Sequence, residues 1–176
     1  GGMYYYFKSK EEALDALAHR QYAGVIVACR QALAGSDADA LTKLKMLLFI
    51  YRSTAVDSAV DHRLHQPENA AIHQKSMADI VNGLGPLLAY ILEQGVGEKL
   101  FICDSPVEFA EFILSFLVFL LDPGLFAWSG EEVGRKMRAF AGFLEKGLSA
   151  PADCFAFLYE NWVKQLKTEV TTEMVT

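Results

Sequence analysis

Residues 3–14 read MYYYFKSKEEAL. Four consecutive aromatics, Tyr4, Tyr5, Tyr6 and Phe7, are followed by Lys8, Ser9 and Lys10. Neighbours on a helix point about 100° apart, so a four-ring block cannot serve one core. Part of it is made for another surface. Directly after it, Ser9-Lys10-Glu11-Glu12 has the form of a capping box. In such a box the serine accepts from an early backbone N–H while the glutamate reaches back to the cap. The stretch therefore closes one element and opens a helix. The same spacing recurs at Ser105-Pro106-Val107-Glu108 and Ser129-Gly130-Glu131-Glu132. Three such starts, with no alternating strand pattern of useful length, define an all-α chain.

Outward from Ser9, the apolar spacing predicts a first helix from Lys10 to Leu33, with Leu14, Leu17, Ala18, Tyr22, Val25 and Cys29 on its inner face. A second helix is expected from Asp37 to about His65, burying Leu41, Leu44, Leu48, Tyr51 and Ala55. Pro67 stops it, because the residue before a proline is pushed out of the α region. A third carries Ile72, Met77, Ile80 and Leu84; Asn82 to Pro86, NGLGP, is expected to break or kink it, with a further segment continuing. Pro106 to Leu121 forms the next helix, and Asp122-Pro123-Gly124 is turn chemistry. Another runs from about Gly130 to Leu148. The last, after Pro151, carries Phe155, Leu158, Trp162 and Leu166.

Composition agrees with one core-rich domain. Of 176 residues, 52% are hydrophobic and 22% charged. The net charge of −6 disfavours nucleic acid as a partner for the whole surface, so any DNA contact must come from a local basic element. Cys29, Cys103 and Cys154 are odd in number and scattered, which fits buried thiols in a reducing cytoplasm. No signal peptide is expected. The longest apolar run, Phe112 to Leu121, is well short of the ~18 residues of a membrane span.

The residues Met3 to Lys10 followed by Glu11-Glu12-Ala13-Leu14 resemble the end of the recognition helix of tetracycline-repressor (TetR) type transcriptional regulators. In that family an apolar residue, two or three aromatics and F-x-S/N-K join the helix-turn-helix to the first helix of the regulatory domain. The resemblance implies about seven helices, the last long ones forming a dimeric four-helix bundle. It implies that residues 1–9 are the end of a DNA-binding domain whose remainder is absent from this sequence. Residues 10–168 would be the ligand-binding and dimerisation domain, and residues 169–176 a tail. It further implies that Tyr4, Tyr5, Tyr6, Lys8 and Lys10 face operator DNA. Tyrosine hydroxyls and lysine suit phosphate contacts beside the groove.

The run FILSFLVFLL is apolar around its whole circumference and must be covered on all sides. It is either a central core helix or a face shared with a second subunit; a two-fold bundle gives the latter, with Phe112, Phe116 and Phe119 meeting Val133, Met137, Phe140 and Leu144 at a homodimer interface. The resemblance implies a small-molecule effector among the middle helices. A pocket is mostly apolar with a few placed polar groups. Tyr51, His62, Asn69, His73, Met77 and Phe116 are the candidate lining. His62 and His65, with Asp61 and His73 near in sequence, raise a metal reading. Pro67 intervenes and no cysteine joins them, so cations at a helix end are the preferred account and no cofactor is expected. The role expected is a cytoplasmic ligand-responsive repressor. An all-α enzyme and a dimerisation module without ligand are the alternatives; no Gly-rich phosphate loop or nucleophile elbow supports the former.

Overall fold

A computed structural model describes residues 7–55 and 59–160 of the chain. Tyr4, Tyr5 and Tyr6, and likewise Trp162 and Leu166, lie outside the described residues. The order is α1 (Lys10–Ala34), α2 (Ala40–Ala55), α3 (Ala59–Leu64), a 3₁₀ turn (Pro67–Asn69), α4 (Ala70–Gly97), α5 (Pro106–Ser115), a π-helical turn (Phe116–Leu120) and α6 (Gly130–Gly147). Residues 157–160 begin a further helical turn. The described chain is all-helical, as the sequence predicts.

α1 starts where the cap places it. Ser9 Oγ accepts from the Glu12 N–H at 3.1 Å, while the Glu12 carboxylate reaches one residue beyond the cap to the Lys8 N–H, at 2.6 Å. The full reciprocal box forms only at Ser129 and Glu132, ahead of α6. Ser105 makes no side-chain cap bond; Pro106 opens α5 instead. The second helix begins later than expected, because Asp39 is its cap: its Oδ1 accepts from the Thr42 N–H at 2.8 Å.

α4 is the centre of the fold and packs against α1, α2, α5 and the π turn. It runs unbroken through NGLGP, where the sequence reading places a break or kink. Pro86 removes one backbone donor and disfavours a helix interior by about 3 kcal/mol. Leu84, Leu88, Ile91 and Leu92 around it are essentially fully buried, each contributing ~1.5–3 kcal/mol, so packing wins. The glycines serve close approach. A Cβ on Gly83 would lie 2.1 Å from Ile26 Cδ1 of α1, and one on Gly95 would lie 2.2 Å from the ring of buried Phe101.

Two corrections concern faces. Leu17, assigned to the inner stripe of α1, is 52% exposed, and the buried line is Leu14, Ala18, Tyr22, Val25, Cys29 and Leu33. Among the described residues, the apolar run is not covered on all sides. Ile113, Leu114 and Val118 are buried, but Phe112 is 62% exposed and Phe119 half so. No described helix is long and apolar enough to cross a membrane.

Candidate functional site

The site lies where the π turn meets α4. The turn carries the chain past Val118 and Phe119 to Asp122, the first residue of the D-P-G turn. π segments recur at functional sites because they re-aim side chains without ending a helix. Leu120 keeps its carbonyl satisfied by accepting from Trp128 Nε1–H at 2.9 Å. Asp122 then folds over its own turn: its Oδ1 accepts from the backbone N–H groups of Gly124 at 2.8 Å and Leu125 at 3.0 Å. That leaves Oδ2 directed at two imidazoles.

His73, in the first turn of α4, places Nε2 2.9 Å from Asp122 Oδ2. His65, just after α3, places Nε2 3.3 Å from the same oxygen and 4.0 Å from Asp61 Oδ1. The two rings meet edge to face with centroids 4.8 Å apart. Gly124 is a glycine for this reason: a Cβ there would lie 2.7 Å from His65 Cδ2. His73 and Asp122 are buried and His65 nearly so. Two phenols stand in the same field. Burial, together with Asp61 and Asp122, holds the Tyr22 and Tyr51 hydroxyls well above the usual phenol range.

On the other side of His73 an open cleft of about 560 Å³ runs between α4 and the α5–π segment. Its walls are His73, Met77, Val81, Val118, Phe119 and Leu125, with Gln74 and Ser115 as further polar groups. An apolar wall ending in a few fixed polar atoms is the usual make-up of a small-molecule site. A second depression, between α1, the start of α2 and the end of α4, is lined by Arg30, Asp37, Lys43, Tyr90 and Gln94 and touches none of the histidines.

Of the residues expected to line a pocket, His73 and Met77 meet at the cleft. Tyr51 stands in the field of Asp61 and Asp122 instead of in the cleft wall. His62 is exposed on α3, and Asn69 ties its Nδ2–H to the Arg63 carbonyl at 2.8 Å. Phe116 stacks on Phe140, centroids 3.8 Å apart, away from the cleft. Asp122, expected only as a turn residue, is not among the expected site residues. Its one sequence signal is an acid closing an otherwise apolar run, and it lies 49 residues from His73.

The expected interface residues divide. Met137, Phe140 and Leu144 lie in the chain's own core and Val133 packs against it. Phe112 and Phe119 are exposed, as is Phe143 of α6. Lys8 and Lys10 are exposed beside the start of α1.

A family model for the tetracyclin repressor-like C-terminal domain matches residues 52–143, more than half of the chain. The chain belongs to this family. The matched span runs from the end of α2 into α6 and contains the cleft and the His65–His73–Asp122 cluster; residues 3–14 lie outside it. No curated protein matches the chain.

Proposed function

We propose that this chain is the sensor and dimerisation part of a ligand-responsive transcriptional regulator, most simply a repressor. The observation that carries the reading is the cleft within the family-matched span: largely apolar walls between α4 and the π turn, with buried His73 among them. A small, largely apolar effector with one polar end fits it. Tyr4, Tyr5, Tyr6, Lys8 and Lys10 then belong to the end of a recognition helix on operator DNA, and residues 1–9 to a DNA-binding head. α1, capped by Ser9, is the lever between head and sensor.

An effector that wedges between α4 and the π turn favours one arrangement of α1 over another, and so one spacing of two heads in a homodimer. The dimer is formed through the exposed faces of α5 and α6, and the protein works in the cytoplasm without a catalytic step. The test is operator binding by the full-length regulator, followed by fluorescence anisotropy, with co-purifying small molecules identified by native mass spectrometry. Effector should change operator affinity at least roughly tenfold, the range of ordinary allosteric coupling. Met77→Trp, which fills the cleft, should abolish the response while leaving operator binding in place. An effector response untouched by Met77→Trp sinks the assignment of the cleft.

A further inference from the structure

We infer that His65, His73 and Asp122 form a binding site for one divalent transition-metal ion, with Zn²⁺ the best chemical match. The three donor atoms, two Nε2 and one Oδ2, lie within 4.8 Å of one another. For metal bonds of about 2.0–2.2 Å, the edges of a tetrahedron run about 3.3–3.6 Å. The two imidazole-to-carboxylate separations, 2.9 and 3.3 Å, need only a few tenths of an ångström of opening to match, and the edge between the two imidazole nitrogens, within 4.8 Å, closes by little more than about 1 Å at most.

Fixing Asp122 does not require these histidines, because the Gly124 and Leu125 N–H groups already hold its Oδ1. Both imidazoles are nonetheless directed at the remaining oxygen through the same nitrogen. Without metal, each can donate Nε2–H to Oδ2; with metal, each ring takes the tautomer with its proton on Nδ1, and the freed Nε2 lone pairs and Oδ2 turn to the ion. Two nitrogens and a carboxylate suit Zn²⁺, Co²⁺ or Ni²⁺ and not Mg²⁺ or Ca²⁺, which take oxygen shells. Charge also balances: Asp61, with Oδ1 4.0 Å from His65 Nε2, brings a second carboxylate to the edge of the cluster. The fourth position belongs to water or to Asp61.

The inference goes beyond the cleft's effector and stands apart from it, because metal uptake is read on the chain without DNA. The experiment strips the purified protein with a chelator, then titrates Zn²⁺ against a chromophoric competitor and Co²⁺ by its visible spectrum. One ion should bind per chain, with the intense d–d bands of a low-coordinate Co²⁺ site. His65→Ala and His73→Ala should each weaken binding by roughly a hundredfold or more, since even outer-shell losses cost 10–100-fold. Asp122→Asn keeps an oxygen for the Gly124 and Leu125 N–H groups yet should also lose the Co²⁺ bands. His19→Ala, on α1, should change nothing. Where a variant does not fold by circular dichroism, acylation of His65 and His73 in the unaltered chain, slowed by Zn²⁺, reads the same site. Zn²⁺ uptake no tighter than in the doubly substituted chain, or acylation that Zn²⁺ leaves untouched, overturns the inference.

Discussion

At the scale of single residues, buried polar groups decide the character of the interior. Burial is the largest cause of the raised phenol values of Tyr22 and Tyr51, and the charges of Asp61 and Asp122 add to it. A raised value means that the folded chain holds a proton the unfolded chain releases. Below about pH 10 both states are protonated and the full stability is present. As pH rises above that, the unfolded state loses its protons first, and stability falls by up to about 1.4 kcal/mol per pH unit per phenol. Urea unfolding between roughly pH 9 and 11 should show this decline, and Tyr22→Phe and Tyr51→Phe should each flatten it. An unchanged slope in the double variant would assign the alkaline loss to other groups. The sequence shows Tyr22 and Tyr51 on inner helical stripes, because periodicity reports which face is turned inward. It does not show the charge of Asp122 acting on them. That effect depends on a π turn and on a contact between distant segments, neither of which leaves a periodic trace.

At the scale of elements, starts were more legible than ends. A cap is local chemistry within four residues, so Ser9 and Ser129 could be read directly. Ser105 shows the limit, since Pro106 can open a helix with no help from the serine. Ser129→Ala should therefore cost about 1 kcal/mol in thermal or urea unfolding, while Ser105→Ala should stay within ~0.5 kcal/mol. Equal losses would mean that the two starts are held alike. α4 and α6 both end with the residue after the cap in the left-handed region, Lys99 at φ 62° and Ser149 at φ 48°. In each, the N–H of that residue and of the next donate to carbonyls of the last turn: Lys99 to Val96 at 3.0 Å and Leu100 to Gly95 at 2.8 Å, Ser149 to Lys146 at 3.3 Å and Ala150 to Glu145 at 2.8 Å. Glycine is usual at such positions and is absent from both, which is why a search for glycine stops does not find them. Gly83, in the stretch expected to break α4, is instead a contact with Ile26, and Gly95 is a contact with Phe101. Gly95→Ala drives a methyl into the immobile Phe101 ring and should destabilise by about 1–3 kcal/mol. Gly85→Ala, with nothing within 4 Å of its Cβ, should stabilise by about 0.5–1 kcal/mol. Differential scanning calorimetry of the two variants reads these opposite signs, and a gain from Gly95→Ala would refute the packing argument.

At the scale of the molecule, the described residues leave an apolar face uncovered. Phe112 lies beside Phe109, and Phe143 beside Phe140, which stacks on Phe116. Each exposed ring thus flanks a less exposed one, Phe112 on α5 and Phe143 on α6. Single exposed apolar residues need no explanation, but a set of rings on two neighbouring helices marks an interaction site. The sequence pattern shows that the run needs cover all round, from its own core or from a second subunit. It did not separate inward from outward rings, because an element apolar all round has no periodic face to read. The outward set, Phe112, Phe119 and Phe143, is the one on which the proposed homodimer depends. Each copy of an aromatic anchor at such an interface is worth about 2 kcal/mol or more. Phe112→Asp combined with Phe143→Asp should therefore weaken association by at least roughly a thousandfold. Because these rings are 62% and 57% exposed in the single chain, the helical content and the unfolding of the monomer should hardly change. Sedimentation equilibrium reads the association and circular dichroism the fold. A doubly substituted protein that still sediments as a dimer places the interface elsewhere and leaves the aromatic face to another partner.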